Sequence, residues 1–523
     1  GTNGPKKTIK NATGTVKSNG IVHIDTGTYK ENNINIKKNM SILGENQQNT
    51  IINGLNSGKS IFIITKDVNV SIANLILTNG TSFNGGAINN NGTLSVASCT
   101  FKGNTANNTA GAIYNDGTLT INKSTFIYNK SIYDAAGAIY NDGTLIVNNS
   151  IFDHNTVCGV AGTNGAPGGA IFSNTGTKLN VNNSAFNYNT VNGGLGGAIS
   201  AHGRSILTNC TFNFNTATLW GGAIDTTGIL TITNTIFNHN TVSVGGAGAI
   251  INIGGILTIT KSTFQNNAAN GSGEGGAIVS TVGGLDTPTN GEGSSKIKDA
   301  DGILTVTKST FQNNSAKQGG AIDNDGNSAH VNFNRIIGNT ASKGIAIYNN
   351  NDDDSTVDAT LNWWGSNNNP SKYVSGNVNV KPWMVLTIKK NTTTIQNGDT
   401  STLTTNLLYD NLGKYHNPVD GNVPNVQVTF TGSHGSLNPT DTTLINGQTR
   451  STFTAKSAGT AIINAKVDDQ TVSIQIPITP TNSKTQINTT TNTIPMQNTG
   501  VPIIGLILAI LTVLGGTIIP QKK

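Results

Sequence analysis

The triplet Gly-Ala-Ile recurs through the middle of this 523-residue chain, and a fixed internal period restricts the folds open to a sequence more than any other property. Its glycine falls at Gly86, Gly111, Gly137, Gly169, Gly197, Gly222, Gly248, Gly276 and Gly320, each time after Gly or Ala, and most steps are 25 to 28 residues. A second landmark, Phe-x-x-Asn, recurs with it. Its phenylalanines are Phe101, Phe126, Phe152, Phe186, Phe212, Phe237, Phe264 and Phe311, and its asparagines Asn104, Asn129, Asn155, Asn189, Asn215, Asn240, Asn267 and Asn314. The interval inside a unit is the tighter one: Ile88 to Phe101, Ile113 to Phe126 and Ile224 to Phe237 are each 13 residues. Length varies instead in Gly-rich polar insertions, "VCGVAGTNGAP" from 157 and "TVGGLDTPTNGEGSSKIKDA" from 281, which read as loops leaving one rung.

Between the landmarks apolar residues alternate, as in "TLTIN", "TLIVN" and "ILTIT". Period two in Thr, Ile and Val-rich runs bounded by Asn-Asp-Gly or Gly predicts short strands, about three to a unit. No such strand can bury its apolar face alone, so units must stack. The arrangement that satisfies every backbone group is a parallel β-helix with one unit per coil and equivalent strands paired at roughly 4.8 Å. Phe then stacks on Phe inside. Asn stacks on Asn at a turn, where its amide tolerates left-handed backbone and bonds the main chain. Gly and Ala occupy places with no room for a side chain.

The expected fold class is all-β: a right-handed parallel β-helix, an Ig-like β-sandwich and one C-terminal transmembrane helix. Residues 1–83 lack Gly-Ala-Ile but keep the same grammar, as opening coils. Residues 84–365 are the repeats with an end cap, where Trp363 and Trp364 of "ATLNWWGSNNNPS" are placed to close the core. About fourteen coils would make a rod roughly 65 to 70 Å long. A linker is expected at 366–383. Alternating runs such as "VQVTFTG" and "STFTAKSAGTAIINAKV" then mark 384–478 as a sandwich of about seven strands. A Thr and Asn-rich stalk (479–500) leads to "VPIIGLILAILTVLGGTIIP" at 501–520, a charge-free run long enough to span a bilayer. A short tail, 521–523, carries two lysines, which favours a cytoplasmic C-terminus. "GTNGPKKTIK" at the start has no apolar run and is no export signal, so either the start is trimmed or incomplete, the reading the composition favours, or the chain is tail-anchored and faces the cytoplasm.

The combination of GGAI with FxxN resembles the repeat of the chlamydial polymorphic outer membrane protein family. The wording "GTYKENNINIKKNMSILGENQQNTIING", "NWWGSNNNPS" and "PWMVLTIKKN" resembles still more closely the adhesin-like surface proteins of methanogenic archaea, over nearly the whole chain. "VTFTGSHGSLNPT" and "AGTAIINAKV" are similar to the invasin-type bacterial Ig-like domain, which usually serves as a spacer.

Candidate chemistry is sparse. Cys99 and Cys210 hold the same rung position four coils apart, roughly 19 Å and far beyond disulfide reach; Cys158 sits in an insertion. His154 and His239 share the third place of Phe-x-x-Asn, where Tyr128, Tyr188 and Phe214 also occur; three coils apart, they are too distant to share a metal, and ordinary turn or surface roles are expected. The run Asn351, Asp352, Asp353, Asp354 lacks the glycine and distal Glu of an EF-hand loop. Asp116 and Asp142 align, but in Asn-Asp-Gly turns that use the carboxylate locally. His202 and Arg204 have no carboxylate in their own unit. No catalytic, metal or cofactor site is therefore expected. A net charge of +6 with 11% charged residues is too dilute for nucleic acid. It suits an extracellular coat instead, where triplets such as Asn69-Val-Ser71 and Asn148-Asn-Ser150 could accept glycans.

These readings converge on a cell-surface, membrane-anchored, adhesin-like protein with residues 1–500 outside. It would bind a cell-surface or glycan ligand by weak multivalent contact, with the insertion loops as recognition elements. Two alternatives stay open: a β-helix polysaccharide lyase or hydrolase, which requires clustered carboxylates, and a passive wall or coat component.

Overall fold

The computed structural model describes residues 4–159, 166–271, 273–283, 302–350 and 355–481. The acidic run at 351–354, nearly all of the insertion after 281, the stalk from 482 and the expected membrane span and tail lie outside the described residues. No helix among the described residues is long and apolar enough to cross a membrane.

Each repeat winds into one coil with three extended faces. Five-residue strands such as Thr118–Asn122 stack into a parallel sheet of 14, strands such as Thr125–Ile127 into one of 12, and strands such as Ile113–Asn115 into one of 13. Twelve coils thus carry all three faces; the terminal turns supply only one or two, which is why the full coils are fewer than expected. Two-residue strands such as Thr216–Ala217 add a short fourth side, an eight-stranded sheet between the phenylalanine and isoleucine faces. Alternation decides which side chains enter: in Thr118–Asn122, Leu119 and Ile121 are buried while the threonines and Asn122 face out. Register is kept rung by rung, Phe186 opposite Phe212 and Phe212 opposite Phe237.

The glycine of Gly-Ala-Ile marks the tightest approach between coils. A β-carbon on Gly222 would lie 2.2 Å from the carbonyl oxygen of Gly248, and the residue before the triplet is left-handed, with φ 63° at Gly221 and 66° at Ala247. The opening coils begin with a helix, Ile9–Thr15, that the alternation did not foreshadow. Thr8 caps it through Asn11 N–H, and it packs Ile9, Ala12 and Val16 onto the solenoid core.

The C-terminal end departs further from expectation. The stretch 366–383, read as a linker, completes the solenoid: Val374–Ser375 pairs with Ile347–Asn349, and Val378–Asn379 with Val357–Asp358. The sandwich has a four-stranded and a five-stranded sheet rather than seven strands in all, the extra members being short pieces such as Ile395–Gln396. Trp364 closes the solenoid core as anticipated, but Trp363 enters the sandwich core beside Met384, Leu386 and Leu407. Asp468 of the sandwich accepts Trp363 Nε1–H at 2.7 Å and Arg335 Nε–H at 3.0 Å, with a second guanidinium contact on its other oxygen. Solenoid and sandwich belong to one compact unit ending at Thr479.

Candidate functional site

The interior ladders come first because they position everything outside. Phe101, Phe126, Phe152, Phe186, Phe212, Phe237, Phe264 and Phe311 are all 0% exposed and stack 4.6 to 4.9 Å apart with nearly parallel planes. Each contributes about 1.5–3 kcal/mol by burial. Asn104, Asn129, Asn155, Asn189, Asn215, Asn240, Asn267 and Asn314 form a second ladder, equally buried. Asn215 is representative: its Nδ2 donates to Phe186 O and Asn240 Oδ1, and its Oδ1 accepts from Asn189 N and Nδ2. The expected reason for asparagine was wrong in one respect, since these residues are absent from the left-handed positions. Their value is an amide that donates and accepts along the axis, which keeps a sharp buried turn satisfied. Cys99 and Cys210 sit in a third ladder with Ser124, Ser150, Ser184, Thr235 and Ser262; burial pushes their thiols up, to about 12 and about 11, while nearby backbone hydrogen bonds act weakly in the opposite direction.

The left-handed residue is the one before each ladder asparagine, and there the chain places rings. Tyr128, His154, Tyr188, Phe214 and His239 have φ between 52° and 55°; the last four stack at 4.9, 5.1 and 4.8 Å, and Tyr128 leans on His154 at 5.2 Å with its plane tilted by 44°. Unlike the inner phenylalanines they face solvent, Tyr128 54%, Tyr188 46% and Phe214 41% exposed. The same turn in other coils uses Asn79, Gly103, Asn266, Asn313 and Gly338, the residue types that take positive φ at low cost. Left-handed backbone costs a bulky residue about 1–2 kcal/mol, which ring stacking at about 0.5–1.5 kcal/mol per pair only offsets. Amides and hydroxyls flank the stack: Asn213 Nδ2 donates to Asn187 Oδ1 at 3.0 Å, and Thr190, Thr216 and Thr241 run in register on the other side. The two histidines, expected only as turn residues, are members of this array.

A second set of polar groups lies under the short fourth side, over the isoleucine face. Tyr114 and Tyr140 stack at 5.3 Å, and Tyr114 OH donates to Asp142, which also accepts from Asn174; the Asp142 carboxylate therefore links side chains of the coils on either side, where its turn had suggested a bond to its own backbone. Burial first, then Asp142, raises both phenols. His202 does meet a carboxylate, from the next coil: Asp225 Oδ2 is 3.1 Å from its Nε2, and Ser200 Oγ is 3.0 Å from the same nitrogen. Further on, Asp323 is 1% exposed with neither carboxyl oxygen hydrogen-bonded among the described residues. Burial, then Glu274 and Asp325, raise its carboxyl to about 8 against the opposing pull of Lys343. Among the described residues no group of three or more His, Cys, Asp or Glu is placed to hold a metal.

The profile of the Chlamydia polymorphic membrane protein repeat matches residues 98–116 and 308–325. Each stretch contains a Phe-x-x-Asn landmark followed by Gly-Ala-Ile, so the ladder positions carry the match. No curated protein matches the sequence. Among solved structures, the D0-D1 domain of intimin is 27% identical over 18% of this chain and 46% of its own length, with a TM-score of 0.15. Domains 4 and 5 of the S-layer protein SbsC are 16% identical over 20% of this chain and 57% of theirs, with a TM-score of 0.14. The chain thus spans about half the length of these structures.

Proposed function

We propose that this protein is a repetitive, adhesin-like component of the cell surface that attaches to other cells, host surfaces or glycans through the outer face of its solenoid. The polymorphic membrane protein repeat supports the surface location, and the charge-free run at 501–520 is the anchor this reading assigns. The observation that carries the attachment reading is the exposed ring stack from Tyr128 to His239. Asn and Gly serve the same turn elsewhere, so the fold does not require rings in strained backbone, and strain of this kind gathers at functional positions. A row of similar weak sites along one rod is a multivalent binder.

Binding rather than turnover is the activity proposed. Ser200 and Asp225 both contact Nε2 of His202, whereas a nucleophile relay uses the two ring nitrogens separately. The test is attachment of the full chain to cell and glycan surfaces, alongside protease treatment of intact cells displaying it. Saturable attachment that falls when Tyr188 and Phe214 are replaced by Asn, with the solenoid digested from outside, is the expected result. Attachment indifferent to those two changes would move recognition off the ring stack. Protection of the solenoid until lysis would remove the surface reading, and release of reducing or unsaturated sugar would favour the enzyme.

A further inference from the structure

The exposed ring ladder ends at Tyr128, and the next rung is Gly103. Register fixes the placement: Lys102 pairs with Ile127 on one side of the turn and Thr105 with Lys130 on the other. A β-carbon on Gly103 would meet only Asn79 Oδ1, at 3.9 Å. The matching glycine near the other end of the solenoid is already covered, since a β-carbon on Gly338 would be 2.3 Å from Asn313 Oδ1. Tyr128 is accordingly the most exposed of the stacked phenyl rings, at 54%. On one side it leans against His154, centroids 5.2 Å apart and planes tilted by 44°. The other turns to a slot floored by Gly103 and bounded by the Asn79 amide two rungs away, roughly 9.6 Å at the strand spacing. That is room for one more ring at the spacing of the stack.

Two ammonium groups border this slot. Lys102 precedes Gly103, Lys130 follows Asn129, and both are exposed. Neither takes part in any of the ion pairs formed among the described residues. The adjacent acid, Asp153, is engaged by His154 Nδ1 at 3.1 Å. The slot therefore offers one aromatic face, the amide of Asn79, the hydroxyl of Thr105 and an uncompensated positive charge on each flank.

We infer that the slot is a binding site for a sugar ring bearing a carboxylate, such as a uronic or sialic acid residue of a surface polysaccharide. The ring's C–H face lies on Tyr128 over Gly103, the carboxylate reaches Lys102 or Lys130, and the ring hydroxyls meet Asn79 and Thr105. A flat apolar side chain would fill the gap but leave those polar groups unanswered, and a neutral sugar would leave both lysines unused. The inference rests on the attachment reading above and gives it a ligand class and a place.

The test is calorimetric titration of the full chain with oligosaccharides of glucuronic acid, galacturonic acid and sialic acid, and with the same oligosaccharides after carboxyl reduction. Gly103→Asn fills the slot with the residue that Asn79, Asn266 and Asn313 supply at this turn, so the fold tolerates it. At least one acidic oligosaccharide should bind, and Gly103→Asn should weaken it by about tenfold or more. Lys102→Gln with Lys130→Gln should abolish the preference for the acidic over the reduced form and its salt dependence, while Lys261→Gln on a distant turn changes neither. No binding to any of the three acids, equal binding of the reduced forms, or affinity unchanged in Gly103→Asn would each overturn the inference. So would a Gly103-dependent affinity for an acidic aromatic peptide alone. If the full chain still attaches to cells in any of those cases, the attachment reading survives; if it attaches to none, that reading falls as well.

Discussion

Removing one amide from the inner asparagine ladder should cost more than its size suggests. Asn215→Ala deletes few atoms, but it leaves Asn189 N–H and one of the two hydrogens of Asn189 Nδ2 without their acceptor, the other keeping Phe152 O, and Phe186 O without this donor. Asn189, Asn215 and Phe186 are all 0% exposed, so water does not replace what is lost. At about 1–3 kcal/mol for each orphaned buried group, the local cost is about 3–9 kcal/mol. Asn240 Oδ1 keeps the Asn215 backbone N–H and adds little. Stacked repeats unfold by neighbouring units rather than all at once, so the assay is hydrogen exchange resolved by coil. Amides of 187–192 and 213–217 should lose protection while those of the first coils keep it. Asn213→Ala, two residues away on the outer surface, breaks only the link to Asn187 Oδ1 and serves as the control. Asn215→Asp adds a second check: its carboxyl is acceptor-only once ionised and burial opposes ionisation, so it should be tolerated better at low pH than at high. Equal exchange in Asn215→Ala and Asn213→Ala would refute the ladder's energetic role.

Phe212→Ala should empty one rung of the inner stack and cost about 3–5 kcal/mol, read as lost protection in the coils on either side; Lys123→Ala should have almost no effect. Asp323 is protonated in the fold up to about pH 8 but ionises near its ordinary value when unfolded. The unfolded chain therefore binds fewer protons between those values, and the stability of this part of the solenoid should fall as pH rises from about 4 to about 8, a slope that Asp323→Asn should flatten. Asp468→Ala should strand Arg335 and Trp363 Nε1 and cost about 3–5 kcal/mol, measured as earlier proteolytic separation of sandwich from solenoid. In the native chain a thiol reagent should label Cys158, half-buried, and reach Cys99 and Cys210 only on unfolding.

The solenoid was legible because its ladders repeat one residue type at one position: Phe over Phe and Asn over Asn set the register through their spacing alone. The outer ring stack was harder to read because its position varies, Tyr, His, Tyr, Phe, His. Alignment on Phe-x-x-Asn already placed all five rings at one position; what it did not show is that they pack on one another, because a turn position reads as solvated surface. Asp225 was missed as the partner of His202 because it belongs to the following coil, where one strand spacing outweighs 23 residues of sequence. The fate of Trp363 was readable in principle, since adjacent residues of an extended chain point opposite ways. The end cap at 366–383 was not, because closing turns need no period. The helix at Ile9–Thr15 is too short for its apolar spacing to compete with the strand pattern around it.

The adjacent Trp363 and Trp364, anchored in two different cores, give the rod a direction. Its last coil cannot loosen without drawing an indole out of the sandwich and breaking the Arg335–Asp468 pair. Its first is secured by a seven-residue helix that buries only Ile9 and Thr13. Of the two ends described, the one under the helix is therefore the less firmly held, and fraying should start there and advance toward the sandwich. Under tension, coils would peel away in sequence order, lengthening the molecule in steps of one repeat while those beside the sandwich stayed wound.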